Sequence, residues 1–111
     1  MELLGGIWYK GEDQNDKSRA FKLLDAIVDA YRKDNIDIST YYPNCAGRTI
    51  VRFYNGDSWE VIPSNTTCKG RYFNVTCISK KIQSEEEEAR IMGAAHPMFM
   101  PDINTYIISK F

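Results

Sequence analysis

Residues 11–18 read Gly-Glu-Asp-Gln-Asn-Asp-Lys-Ser, and residues 19–33 continue as RAFKLLDAIVDAYRK. The first eight fit the phosphate-loop (Walker A) pattern G-x-x-x-x-G-K-[ST] at every fixed position but one, because Asp16 stands where the pattern has glycine. Such a loop holds phosphate on curled backbone N–H groups, and a carboxylate at that position faces the anion. Across Lys17 to Lys33 the apolar residues Ala20, Phe21, Leu23, Leu24, Ile27, Val28 and Tyr31 recur at helical spacing. Arg19, Lys22, Asp25, Asp29 and Arg32 fall on the other side, and Asp34 with Asn35 ends the helix. Asp16 also suits a helix N-cap whose carboxylate bonds the first free N–H groups and leaves Lys17 in solvent.

Working outward, Glu2 to Tyr9 is a short strand entering the loop, weakened by Gly5 and Gly6. Ile36 to Tyr42 is rich in β-branched and aromatic residues and stops at Pro43 and Asn44, which predicts a strand. Thr49 to Tyr54 and Ser58 to Ile62 flank Asn55-Gly56-Asp57, a strong hairpin signal. After a polar loop, Tyr72 to Ser79 predicts a buried strand. Glu85 to Gly93 predicts a short helix opened by Ser84, and Thr105 to Ser109 a last strand. Strands alternating with helices make an α/β sheet with an inserted β-hairpin the expected fold, as one unit over residues 1–111.

Composition narrows the function. At 111 residues and a net charge of -1, the chain lacks the basic excess needed for a nonspecific grip on nucleic-acid backbone. The 43% hydrophobic and 26% charged fractions are those of a globular protein. Cys45, Cys68 and Cys77 form an odd set without CxxC spacing, which reads as reduced thiols used for packing. His96 is the single histidine, so a Cys/His metal cluster is not expected, and beside Pro97 it reads as a loop or core residue. With no secretory h-region and no spanning apolar run, a soluble cytoplasmic protein without membrane contact is expected.

The order of phosphate-loop-like turn, helix, hairpin, Gly-Arg step, apolar strand, acidic helix and last strand resembles the ATPase domain of phage terminase large subunits. The segment RFYNGDSWEVIPSNTTCKGRYFNVTCISKK carries the second half of this resemblance, with Asn55, Gly56, Ser58, Gly70 and Arg71 in corresponding places. TYIISK is similar to the strand that follows Walker B. The resemblance implies a reduced P-loop-like sheet flanked by helices in a phage or prophage-type protein of the host cytoplasm. It further implies ATP with magnesium as ligand, and Gly11, Lys17, Ser18 and Lys80 as nucleotide-binding positions. Lys17 would then meet the β- and γ-phosphates and Ser18 the metal.

The departures fall on catalytic positions. Where the Walker B strand ends in aspartate and glutamate, this chain has Ser79 and Lys80, which supply neither hard anionic oxygen for magnesium nor a proton acceptor for water. The run Glu85 to Glu88 lies beyond that strand end and is accounted for by the helix dipole and solvation. The expected activity is therefore binding without hydrolysis, directed at a protein partner, with weak nucleotide affinity retained. Two alternatives are an NTPase completed by a partner chain and an interaction module without nucleotide. Adjacent rings at Tyr41-Tyr42 and Tyr72-Phe73 must lie on opposite faces of a strand, so rings near Arg48, Arg52, Lys69 and Arg71 could reach a base or a protein surface. An open hairpin edge would favour self-association.

Overall fold

Strand β1 (Leu4–Tyr9) lies inside a mixed six-stranded sheet of order β2-β3-β4-β1-β5-β6, seen in a computed structural model that describes residues 2–45, 47–66, 73–95 and 107–111. Helix α1 (Gln14–Lys33) follows, then the antiparallel run β2 (Ile38–Cys45), β3 (Arg48–Phe53) and β4 (Ser58–Pro63). Strand β5 (Val75–Ile78), helix α2 (Glu85–Ala95) and strand β6 (Ile107–Lys110) complete the order. β1 pairs in parallel with β4 and β5, and β5 with β6, so four strands end on the same edge of the sheet. The α/β reading with an inserted hairpin holds.

The two helices cover opposite faces. Ala20, Leu24 and Val28 of α1 pack on Ile7, Val51, Phe53, Trp59 and Val61, whereas Ile91 of α2 packs with Trp8, Ile62 and Ile78. Successive strand residues therefore alternate between two apolar layers, which is why β1 and β4 read as near-continuous hydrophobic runs. The glycines of β1 have a packing cause. A Cβ on Gly5 would stand 2.3 Å from the Trp59 ring, so the strand tolerates glycine there because an indole fills its place.

The β3–β4 turn closes with Gly56 N–H donating to Phe53 C=O at 3.0 Å and with φ of +94° at Gly56. This is a three-residue hairpin loop with a glycine bulge, as Asn-Gly foretold. Its Asp57 is tied to the far end of α1. Tyr31 Oη donates to Asp57 Oδ2 at 2.7 Å, Leu3 N–H to Asp57 Oδ1 at 2.9 Å, and Trp59 Nε1 to Tyr31 Oη at 3.1 Å. Tyr31 also stacks on Phe53 with centroids 3.9 Å apart.

Three of the boundary differences from the sequence expectation bear on the site or the sheet edge. β2 starts later and runs through Pro43 to Cys45, which is possible because β2 is an edge strand and loses no ladder bond on its open side. Its register shifts near Ser39 and Pro43, and the first shift puts Ile38 and Tyr41 along the same groove. β5 is only Val75–Ile78, with Ser79 just past its end. α1 begins at Gln14, and its N-cap is Asp13, not Asp16. Asp13 is extended and its carboxylate accepts the Asp16 N–H at 3.0 Å, which carries Asp16 into the first turn and turns it inward.

Candidate functional site

The parallel strands end together, and the residues just beyond them form a polar cluster. In open α/β sheets this carboxyl edge, where strand order reverses around a central strand, is the usual ligand position. Here β1 is that strand, with its next parallel partners on both sides. Lys10 and Gly11 follow β1, Ser64 follows β4, and Ser79 follows β5.

Asp16 is the hub. It is 1% exposed, and three donors converge on its carboxylate: the Lys10 N–H at 2.6 Å on Oδ2, with the Ser79 hydroxyl at 2.7 Å and an Arg19 guanidinium N–H at 2.8 Å on Oδ1. A buried carboxylate is tolerable only with such a full set of donors. Ser79 is itself used twice, since its Oγ accepts the Lys81 N–H at 3.1 Å. Asp16, which stands where the phosphate-loop pattern has glycine, and Ser79, just past the end of β5, are thus bonded to each other. Asp16 supplies the anion at the start of α1, and Ser79 supplies a neutral donor suited to receive it.

A second polar pair stands alongside. Lys10 Nζ meets Glu87 Oε1 at 2.9 Å, and Gly11 N–H donates to Ser64 Oγ at 3.0 Å. The Ser64 hydroxyl and then the Lys10 ammonium hold the Glu87 carboxyl below its ordinary pKa. Glu87 is the third residue of α2, whose start is helped by the Glu87 N–H bond to Ser84 Oγ at 3.4 Å. The acidic run is therefore more than a solvated helix start at this one position. Arg19 also lies 5.4 Å from the centroid of the Phe111 ring, which closes the cluster on the β6 side.

The four positions singled out in the sequence are dispersed around this cluster. Gly11 lies in the loop, where a Cβ would meet the Asn65 side chain at 2.7 Å, so the close approach of two loops requires glycine. Lys17 and Ser18 are exposed on the first turns of α1. Lys17 lines a separate cleft of about 270 Å³ with Tyr9, Asn44 and Thr49. Lys80 is exposed, and its N–H donates to the Phe111 carbonyl at 2.7 Å. Lys10, Ser64 and Glu87 were not legible as site residues, since nothing local in the sequence marks contacts 53 to 77 residues apart.

Other candidates resolve plainly. Burial pushes the Cys77 thiol up in pKa, keeping it protonated, and it packs against α1 as the packing reading requires. Among the described residues no three His, Cys, Asp or Glu side chains come together, and no helix is long and apolar enough to cross a membrane. Cys68, Lys69, Gly70, Arg71, Tyr72 and His96 lie outside the described residues. Tyr41 and Tyr42 take opposite faces, one beside the α1 groove and the other 5.7 Å from the Arg52 guanidinium, and both are exposed. Neither family models, nor curated proteins, nor solved structures give a match to this chain.

Proposed function

We propose that this protein acts by binding a protein partner and does not turn over nucleoside triphosphate. The observation that carries the reading is the bond between Asp16 and Ser79. The loop between β1 and α1 already holds an internal carboxylate, and a phosphate brought into that loop would be repelled by a group that cannot move into solvent without leaving the Lys10 N–H and the Ser79 hydroxyl unpaired. The terminase-like order of motifs supports descent from a phage ATPase framework that has kept its sheet and replaced its phosphate site by side-chain bonds.

Support for a protein partner comes from the opposite end of the sheet. β2 is an edge strand, and Tyr41, Tyr42 and the nearby hairpin residue Tyr54 are 55%, 42% and 76% exposed. Exposed tyrosines beside an unpaired strand edge suit an extended partner segment that adds to the sheet, the backbone giving affinity and the rings specificity. Residues Thr40–Tyr42 form the uninterrupted stretch available, bounded by the two register shifts.

Two measurements test this. The purified chain with ATP and magnesium should release no phosphate above the blank and show no thermal stabilisation; steady hydrolysis lost in Lys17→Ala sinks the proposal. A photo-crosslinking residue at Tyr41 or Tyr54 should capture one protein that the same residue at exposed Lys22 does not. Equal capture from both positions argues against the β2 edge.

A further inference from the structure

The cleft beside Lys17 has a lining that the polar cluster does not explain. Tyr9, the last residue of β1, is 7% exposed, yet its hydroxyl makes no hydrogen bond among the described residues. It lines a cleft of about 270 Å³ between the first turns of α1 and the β2–β3 hairpin. Lys17 lines the same cleft and has no ion pair among the described residues. Asn44 Oδ1 accepts the Gly47 N–H at 3.2 Å, which leaves its amide hydrogens unused. The Thr49 hydroxyl donates to the Pro43 carbonyl at 2.9 Å and is thereby fixed. Three unspent donors, one of them cationic, thus share one concavity, while Phe21 and Val61 give it an apolar side.

Tyr9 is buried as a residue, but its hydroxyl opens onto the cleft, where it is free to donate to a ligand. Burial raises the Tyr9 pKa, so the hydroxyl remains a donor at neutral pH. One ammonium and two neutral donors suit a single negative charge; a phosphate dianion would call for more cations. The volume lies just below the range of about 300 to 1,000 Å³ typical of drug-sized ligands, which suits a small ligand. We propose that this cleft is a binding site for a small monocarboxylate with an apolar body. Its head would be held by Lys17, Tyr9 and Asn44, and its body would lie against Phe21 and Val61. The site touches β2 only at Pro43 and Asn44, beyond the Thr40–Tyr42 stretch proposed for the partner.

Benzoate, acetate and inorganic phosphate serve as probes in amide chemical-shift titrations of the whole chain. Benzoate should produce saturable shifts centred on Tyr9, Lys17, Asn44 and Thr49, and acetate should bind several-fold more weakly for want of an apolar body. Lys17→Ala should weaken benzoate binding about tenfold or more, the usual scale for a charged hydrogen bond. Tyr9→Phe should weaken it several-fold, whereas Lys81→Ala, an exposed lysine outside the cleft, should leave it unchanged. Lys17 is exposed, so its variant stays folded even if Tyr9→Phe does not. The proposal is overturned if benzoate shifts do not saturate at these residues, if Lys81→Ala weakens binding as much as Lys17→Ala, or if phosphate binds as tightly as benzoate.

Discussion

The Ser79 hydroxyl donates to the Asp16 carboxylate across 2.7 Å, joining the end of β5 to the first turn of α1 over 63 residues of sequence. Each residue makes sense only with the other. Asp16 is a buried anion that needs donors, and Ser79 is a small side-chain donor just past a strand end within its reach. Replacing Asp16 by Ala should cost about 3 kcal/mol, because it strands the Lys10 N–H and the Ser79 hydroxyl and removes the partner of Arg19, while Ser79→Ala should cost about 1 kcal/mol. Ser79→Asp should cost more than Ser79→Ala, since it sets a second carboxylate against the first. Asp16→Gly combined with Ser79→Asp should then lose less than the sum of the two single changes. Chemical denaturation of the unaltered chain, Asp16→Gly, Ser79→Asp and the double variant gives the coupling, and strict additivity would contradict a direct bond.

Much of the architecture is legible because it depends on short-range regularities. The α1 periodicity, the Asn55-Gly56 turn and the Ser84 start of α2 are each written within a few residues. The site is not, because its contacts are tertiary. Asp13 and Asp16 are equally good caps by type, and only the approach of Ser79 and the Lys10 N–H turns Asp16 inward and leaves the cap to Asp13. Pro43 looks like a strand end until β2 is known to lie at the sheet edge, a fact of strand order that local sequence does not carry.

The ion pair between Lys10 and Glu87 is partly open to water, with side chains 37% and 20% exposed. Its net contribution should therefore be small, about 0.5 to 1 kcal/mol, and should decline with added salt. Lys10→Met, which keeps most of the stem, should lower stability by that amount at low ionic strength and by less in 1 M salt. A salt-independent loss would assign the effect to packing instead. The Asp16 bonds, being buried, should respond far less to salt.

Two glycines should respond differently to the same change. Gly5→Ala drives a methyl group into the Trp59 ring, 2.3 Å away, within a packed layer; overpacking of this severity should cost about 3 kcal/mol. Gly47→Ala meets nothing within 4 Å, but φ is +83°, so it should cost only about 1 to 2 kcal/mol from backbone strain. Thermal unfolding should rank Gly5→Ala well below Gly47→Ala. The reverse order would mean that Trp59 can swing clear of the strand.

Tyr31 and Asp57 should give the fold opposite dependences on pH. Burial pushes Asp57 up, but the Leu3 N–H, the Tyr31 hydroxyl and the Asn55 amide outweigh it and hold the carboxyl below its ordinary value. Its folded pKa is thus depressed, so its stabilisation is full above the unfolded value of about 4 and is lost as pH falls through the folded pKa. For Tyr31, burial and then the hydrogen bond and charge of Asp57 exceed the opposing bond from Trp59, and the pKa rises to about 12. The neutral phenol is favoured in the folded state, so this contribution is full below about 10 and is lost as pH rises from about 10 to about 12. Tyr31→Phe should therefore flatten the loss of stability over that alkaline window and also shrink the acid limb, because Asp57 loses a donor. Tyr9, also raised by burial, remains in both proteins, so the difference between them isolates Tyr31. Denaturant unfolding near pH 3, 7 and 11 measures both limbs, and an unchanged alkaline slope in Tyr31→Phe would show that the phenol does not titrate as a member of this cluster.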